Sequence, residues 1–345
     1  MIGEAQRPIE PVERYLVWLS AIERSPNTVR AYAYDLKALF EFLAARDLAW
    51  DAVSLEQLGH FTAWLRQPAD NVVLLANAQP RRERPTVNRM LSAVFGFYEF
   101  HARHGVPVAR ALIETSRSGL GGYKPFLHGI APQKPRGRVG RLPEARRLPR
   151  TLELEQVAAI IAAQSRLRDR FLFALLFGTG MRIGQALGLR HSDVVGHERR
   201  IELVARDDNA NGARSKGGGG SVPVSAELVR AYSDYMHEEY GELDSDYVFV
   251  NLWGGRVGRA MTYANVVDVV RRTRRRVGFH FTPHVFRHTY ATLARRGGVP
   301  LEVVSKLLTH SSVQTTSAIY VHTTPEDLRA ELERAGWWPS QRVIA

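Results

Sequence analysis

Five prolines, Pro125, Pro132, Pro135, Pro143 and Pro149, fall between Gly119 and Arg150, and no helical or strand period runs through them. Proline removes a backbone donor and clashes with the preceding turn, so such a stretch breaks regular structure. A chain divided there folds as two bodies, and its 345 residues are also more than one compact core usually holds. The expected organisation is a first domain over residues 1–119, a linker over 120–150 and a second domain over 151–345.

The linker is where the charge lies. The chain carries 47 Lys+Arg against 35 Asp+Glu, a net +12. Residues 1–119 contribute 14 basic and 13 acidic side chains, residues 120–150 contribute 8 and 1, and residues 151–345 contribute 25 and 21. More than half of the excess therefore sits in one short, Arg-rich stretch. A solvated basic tether is one reading of it. A strap for phosphates, using Arg136, Arg138 and Arg141, is the reading that the charge and the preference for Arg favour.

Other function classes drop out. The chain has no cysteine, which excludes disulfides, thiolate nucleophiles, Cys-based zinc sites and iron–sulfur clusters. Its 45% hydrophobic and 24% charged residues are ordinary for a globular protein. The longest apolar run, Phe171 to Phe177, is far short of the roughly 20 residues of a membrane helix. The first residues lack the basic-then-apolar pattern of a signal peptide. The expectation is a soluble cytoplasmic protein without a membrane partner.

The first region reads as helices. Ser25-Pro26-Asn27-Thr28 is a start signal, followed by Val29, Tyr32, Leu36, Leu39, Phe40 and Leu43 at helical spacing. Leu55, Leu58, Phe61, Trp64 and Leu65 form a second stripe, and Val87, Leu91, Val94, Phe95 and Tyr98 a third. Three or four such helices make a small bundle with the stripes as its core. From Thr151 the helical period resumes, breaks at Gly178-Thr179-Gly180 and restarts at Met181. Ile201 to Val204 and Ser221 to Val224 read as two strands around a Gly-rich loop, with Tyr247 to Val250 as a third. Helices follow at Tyr263 to Arg276, Pro283 to Arg296, Leu301 to Leu308 and Val313 to His322. The fold class is mainly α, with a small antiparallel sheet inserted in the second domain.

The residues suited to chemistry lie in that second region. In Thr282-Pro283-His284-Val285-Phe286-Arg287-His288, Thr as N-cap and Pro at the first helical position predict a helix start. His284 and Arg287 are three apart, so they share a face in the first turn, where free N–H groups and the helix dipole favour an anion. Arg can hold phosphate oxygens while His moves a proton. Arg182 follows the double-Gly turn, and an Arg half-buried there calls for an anionic partner. Lys216 sits in the glycine-rich loop. Thr309-His310-Ser311-Ser312 joins two predicted helices, and Tyr320 follows His310 by ten residues.

The order Arg182, Lys216, His284-x-x-Arg287, His310, Tyr320 resembles the tyrosine recombinase (phage integrase) family, which includes tyrosine transposases. Leu175 to Ile183, His284 to Thr292 and Leu307 to Tyr320 resemble its three motifs, and the N-terminal helices resemble its SAM-like core-binding domain; the likeness covers roughly residues 12–335. It implies a catalytic domain that cuts and rejoins DNA as a transposase or site-specific recombinase, with no cofactor and no metal. Tyr320 would be the nucleophile, forming a 3′-phosphotyrosyl link. Arg182 and Arg287 would clamp the scissile phosphate, Lys216 would protonate the leaving 5′-oxygen, His284 would accept the tyrosine proton and His310 would hydrogen-bond the phosphate. His288 is an alternative proton acceptor.

This sequence departs from the family's usual pattern in three ways. Gln185 stands where the family often has Glu, and Lys216 is followed by four glycines. The His310–Tyr320 spacing resembles the transposase branch. The resemblance further implies double-stranded DNA target sites, a homo-tetramer on DNA, with the tail from Pro325 docking on a neighbour, and transposon proteins as possible partners. The arginines at Arg271, Arg272, Arg274 and Arg275 read as a solvated helix face or as backbone phosphate contacts. Tyr247, Tyr263 and Tyr290 fit packing positions. A DNA-binding protein without catalysis and a type IB topoisomerase are the competing functions.

Overall fold

The computed structural model describes residues 9–67, 80–108, 142–143, 150–214 and 219–309. The chain separates into two compact units, Met1–Arg146 and Arg147–Ala345.

The first unit is helical, and each helix begins where the local sequence tells it to. Helix α1 (Glu10–Ala21) has Pro11 in its first turn, where a missing N–H is no loss. Helix α2 (Pro26–Ala44) starts at Ser25, whose hydroxyl accepts the Thr28 N–H at 3.2 Å. Helix α3 (Leu55–Arg66) opens with a reciprocal box: Gln57 N–H donates to Ser54 Oγ at 3.3 Å, and Ser54 N–H donates to Gln57 Oε1 at 2.7 Å. Helix α4 (Arg84–Arg103) touches the other three and buries Val87, Leu91, Val94, Phe97 and Tyr98. Aromatic rings fill the centre, with Tyr15 edge-on to Phe97 at 5.8 Å and Phe42 on Phe61 at 5.3 Å.

Two residues of the expected linker belong to this unit. The Asn88 amide donates to Leu142 O at 2.9 Å and accepts the Leu142 N–H at 2.8 Å, while Arg84 Nη1 donates to Pro143 O at 3.1 Å. Leu142 also packs on the bundle's core.

The second unit is built around helix α6 (Leu167–Thr179), which buries Phe171, Leu172, Phe173, Leu175 and Leu176. An all-round apolar surface of this kind requires partners on every side. They are α5 (Leu154–Ala162), α8 (Ala226–Tyr235) and α10 (Pro283–Arg296). Phe173 stacks on Phe286 at 5.6 Å. Helix α7 (Ile183–Leu187) is short, α9 (Tyr263–Val277) carries the arginine run, and α11 (Leu301–Leu307) follows α10. Helix α8 is absent from the sequence reading, although Ser225 before Leu228 and Tyr235 marks it. The Ser225 hydroxyl accepts the Leu228 N–H at 3.3 Å, and both apolar residues are buried.

The sheet has three antiparallel strands in the order β1 (Val194–Val195), β2 (Arg200–Leu203), β3 (Gly220–Pro223). Ile201 pairs with both Val194 and Val222, and Ile201, Leu203 and Val222 point into the core. The third strand is therefore not Tyr247 to Val250. That segment is buried along Val248, Phe249 and Val250 and makes only isolated bridges, Arg190 with Tyr247 and Val250 with Ala260. Its N–H and C=O groups go to two separate neighbours, Val248 N–H to Leu189 O at 3.0 Å and Phe249 O from Met261 N–H at 2.9 Å. No ladder can extend on either side. The predicted helix at Val313 to His322 lies outside the described residues.

Candidate active site

Helix α6 ends at Gly180, whose φ of +63° closes the helix in the left-handed region. A Cβ there would stand 2.5 Å from Tyr290 Cδ1, so glycine is required by backbone angle and by space. The turn frees the Gly180 carbonyl, which accepts Arg287 Nη1 at 3.0 Å. Arg287 Nη2 donates to Leu308 O. Arg287 lies in the first turns of α10 and is 1% exposed. These two carbonyls fix the guanidinium at the junction of α6, α10 and α11.

Arg182 occupies the cap position of α7 and is half-buried. Its N–H donates to Gln185 Oε1 at 2.8 Å, and its Nη1 lies 3.5 Å from Thr309 Oγ1. Gln185 is buried and donates Nε2 to the same hydroxyl at 3.1 Å. Arg182 and Arg287 thus converge on adjacent residues, Thr309 and Leu308, at the end of α11.

His284 stands one turn before Arg287 with an edge open to solvent. The protein gathered around its ring, then Arg287 and Arg182, push its pKa below the ordinary histidine value. His288 meets it ring to ring at 4.4 Å and is pushed down to about 4 by burial, His284 and Arg287. Both imidazoles are neutral near pH 7, and a neutral imidazole can accept a proton. Thr282 holds the cap position of α10, but its hydroxyl makes no capping bond.

The structure therefore gathers Arg182, His284 and Arg287 of the predicted set. Lys216, His310 and Tyr320 lie outside the described residues, as do Arg136, Arg138 and Arg141. The described flanks of the Lys216 segment are informative. Arg214 O sits 2.6 Å from where a Gly184 Cβ would be, and the Gly220 position faces Thr309 Cγ2 at 3.7 Å.

On α9, Arg274 is engaged with Phe281 O, its Nε donating at 2.8 Å, and so fixes the turn into α10. Arg271 pairs with Asp268 at 2.7 Å, and Arg275 is exposed. Arg272 lines a polar cavity of about 570 Å³ together with Arg166, Arg168 and Trp253. Among the rival tyrosines, Tyr290 packs against Gly180, and the Tyr247 hydroxyl accepts the Ala210 N–H at 2.9 Å. Tyr263 does not pack as expected. It opens α9 with its ring 56% exposed, because the buried face of that helix begins at Val266.

The sequence reading singled out neither Thr309 nor the role of Gly180 as an acceptor. A β-branched residue directly after Leu307-Leu308, where a helix end favours glycine, is the signal that marks Thr309.

Two arginines and a neutral histidine thus stand together in an α-helical frame, an arrangement chemically suited to a phosphate. The chain belongs to the phage integrase family, the tyrosine recombinases and transposases that cleave and rejoin DNA strands. Residues 150–327 match the phage integrase family, and residues 12–105 match the phage integrase N-terminal SAM-like domain. Transposase A from transposon Tn554 of Staphylococcus aureus is 37% identical over 97% of this chain and 93% of its own length. The tyrosine recombinase XerD of Corynebacterium glutamicum is 28% identical over 90% of this chain and 94% of its own. The same fold occurs in the Tn1549 transposon integrase in complex with transposon right end DNA, at a TM-score of 0.63 and 16% identity over 94% of this chain and 99% of that one. No helix among the described residues is long and apolar enough to cross a membrane.

Proposed function

We propose that this chain cuts and rejoins duplex DNA with Tyr320 as nucleophile, and that it serves transposition or site-specific recombination. The observation that carries this reading is the convergence of Arg182 and Arg287 on Thr309 and Leu308 beside a neutral His284. In the proposed step the Tyr320 hydroxyl gives its proton to His284 and its oxygen attacks phosphorus. The bond from phosphorus to the 5′-oxygen breaks, a 3′-phosphotyrosyl link forms, and Lys216 supplies the proton that turns the leaving oxygen into a hydroxyl. Arg182 and Arg287 hold the non-bridging oxygens and oppose the charge that builds on them, with His310 adding a hydrogen bond. Rejoining is the reverse, with a 5′-hydroxyl attacking the tyrosyl ester, so the phosphoester is conserved without ATP or metal.

Two features support Lys216 as the acid. The segment that contains it begins against Gly184, two residues from Arg182, and ends near Thr309. In this reading residues 1–119 embrace the DNA core site, Arg136, Arg138 and Arg141 contact backbone phosphates together with Arg271, Arg272 and Arg275, and four copies assemble on two duplexes because exchange breaks four strands. Cytoplasmic location accords with a DNA substrate.

The test is covalent capture on a nicked duplex followed by peptide mapping. Tyr320→Phe should bind DNA as the unaltered chain does and form no adduct; an adduct in that variant would overturn the assignment.

A further inference from the structure

Thr309 stands in a backbone conformation that its side chain disfavours. Its φ is +49°, in the left-handed region, where a β-branched residue is an outlier and glycine is the usual occupant. It follows α11, with its N–H bonding back to Lys306 O at 2.8 Å. Strain of this kind persists when the surroundings over-determine it, and it clusters where a side chain must be held in one place.

What the conformation delivers is the hydroxyl. Thr309 Oγ1 accepts Gln185 Nε2 at 3.1 Å and lies 3.5 Å from Arg182 Nη1. The other end of the same buried amide, Gln185 Oε1, accepts the Arg182 N–H at 2.8 Å. Arg182 is therefore gripped at its backbone by one atom of Gln185 and met at its guanidinium by the hydroxyl that the other atom holds. A Cβ placed at Gly220 would stand 3.7 Å from the Thr309 methyl, so the start of β3 lies beside this side chain.

We propose that Thr309 is a positioning residue for Arg182: its hydroxyl, held by Gln185, fixes the guanidinium in the orientation that receives a phosphate. This rests on the reading of Arg182 as part of the phosphate clamp. A single long hydrogen bond adds little to folding stability. Its effect is on orientation, and misorienting a clamp slows the chemical step more than it weakens binding.

The substrate for the test is a nicked duplex recovered from a random-sequence pool by covalent capture with the unaltered full chain. Thr309→Val keeps the shape and the strain but removes the hydroxyl; single-turnover cleavage should fall about tenfold or more, with duplex affinity within about twofold. Thr309→Ser restores the hydroxyl and should cleave within about threefold of the unaltered rate. Thr309→Gly relieves the backbone, so its melting midpoint should rise by about 2–4 °C while it cleaves as slowly as the valine variant. A residue with a merely structural task cannot move stability and rate in opposite directions. Unaltered cleavage by Thr309→Val, or a lower midpoint in Thr309→Gly, overturns the assignment. Arg182→Ala is run beside them. If it is slow while Thr309→Val is fast, the clamp stands and only Thr309 is dismissed; if it cleaves at the unaltered rate, both readings fall.

Discussion

His284 and His288 meet ring to ring, and neither takes a proton readily in the folded chain. Unfolded histidine titrates near 6.5, whereas His288 in the fold is held down to about 4. Between those values the unfolded chain binds more protons, so stability is full above about 6.5 and falls as pH drops toward 4. In His288→Gln the loss of melting midpoint between pH 7 and pH 5 should be smaller by about 2–4 °C, read by calorimetry. Gly180 makes a second case. Gly180→Ala should destabilise by about 2–3 kcal/mol, part from the left-handed backbone and part from Tyr290. Tyr290→Ala beside it should recover only Tyr290's part of the steric share, because Leu308 Cδ2 would also stand 2.9 Å from the new Cβ; a double-mutant cycle by denaturant unfolding reads that part. His-x-x-Arg on a helix start is by itself a weak signal; Arg182, His284 and Arg287 were legible because they occur in one order with Lys216, His310 and Tyr320. Gln185 was legible only as a departure from the usual Glu, and the role of Thr309 was not legible, since a hydroxyl acquires it only when two distant helix ends meet.

Among elements, legibility followed local chemistry. Helix α2 begins where Ser25 places its cap, and α10 spans the predicted Pro283 to Arg296, with Pro283 at its first position and no side-chain cap from Thr282. Ser54→Ala should remove about 1 kcal/mol through the lost cap, measured by urea unfolding. Helix α6 was legible as an apolar run that breaks at Gly178-Thr179-Gly180. Its burial on all sides makes Phe173→Ala costly, about 3–5 kcal/mol, enough to leave much of the catalytic unit unfolded at 37 °C by circular dichroism. Strand assignment failed at Tyr247 to Val250 because periodicity cannot say which partner an apolar segment will find. The two residues of β1 are too few to show any period at all. Helix α8 escaped because its polar face outweighs the two positions it buries.

At the scale of the molecule, charge was the most legible feature and its mechanical setting the least. Each phosphate contact contributes roughly 0.9 to the slope of log affinity against log salt, so neutralising Arg136, Arg138 and Arg141 should flatten the slope by about 2 to 3, measured by titration at several salt concentrations. Deleting residues 325–345 should abolish pairing of two DNA sites while single-site binding persists, read by native gel. The setting follows from Leu142. Val108 and Leu142 both pack on the first unit's core, and Asn88 holds Leu142 by two bonds. Both ends of the basic stretch between them are thus anchored on one unit, which closes a ring in the chain. Closure entropy grows with the logarithm of length, so doubling such a ring costs only about 0.6 kcal/mol. With both ends of that stretch fixed at Val108 and Leu142, its length can change at little cost to the fold of the first unit.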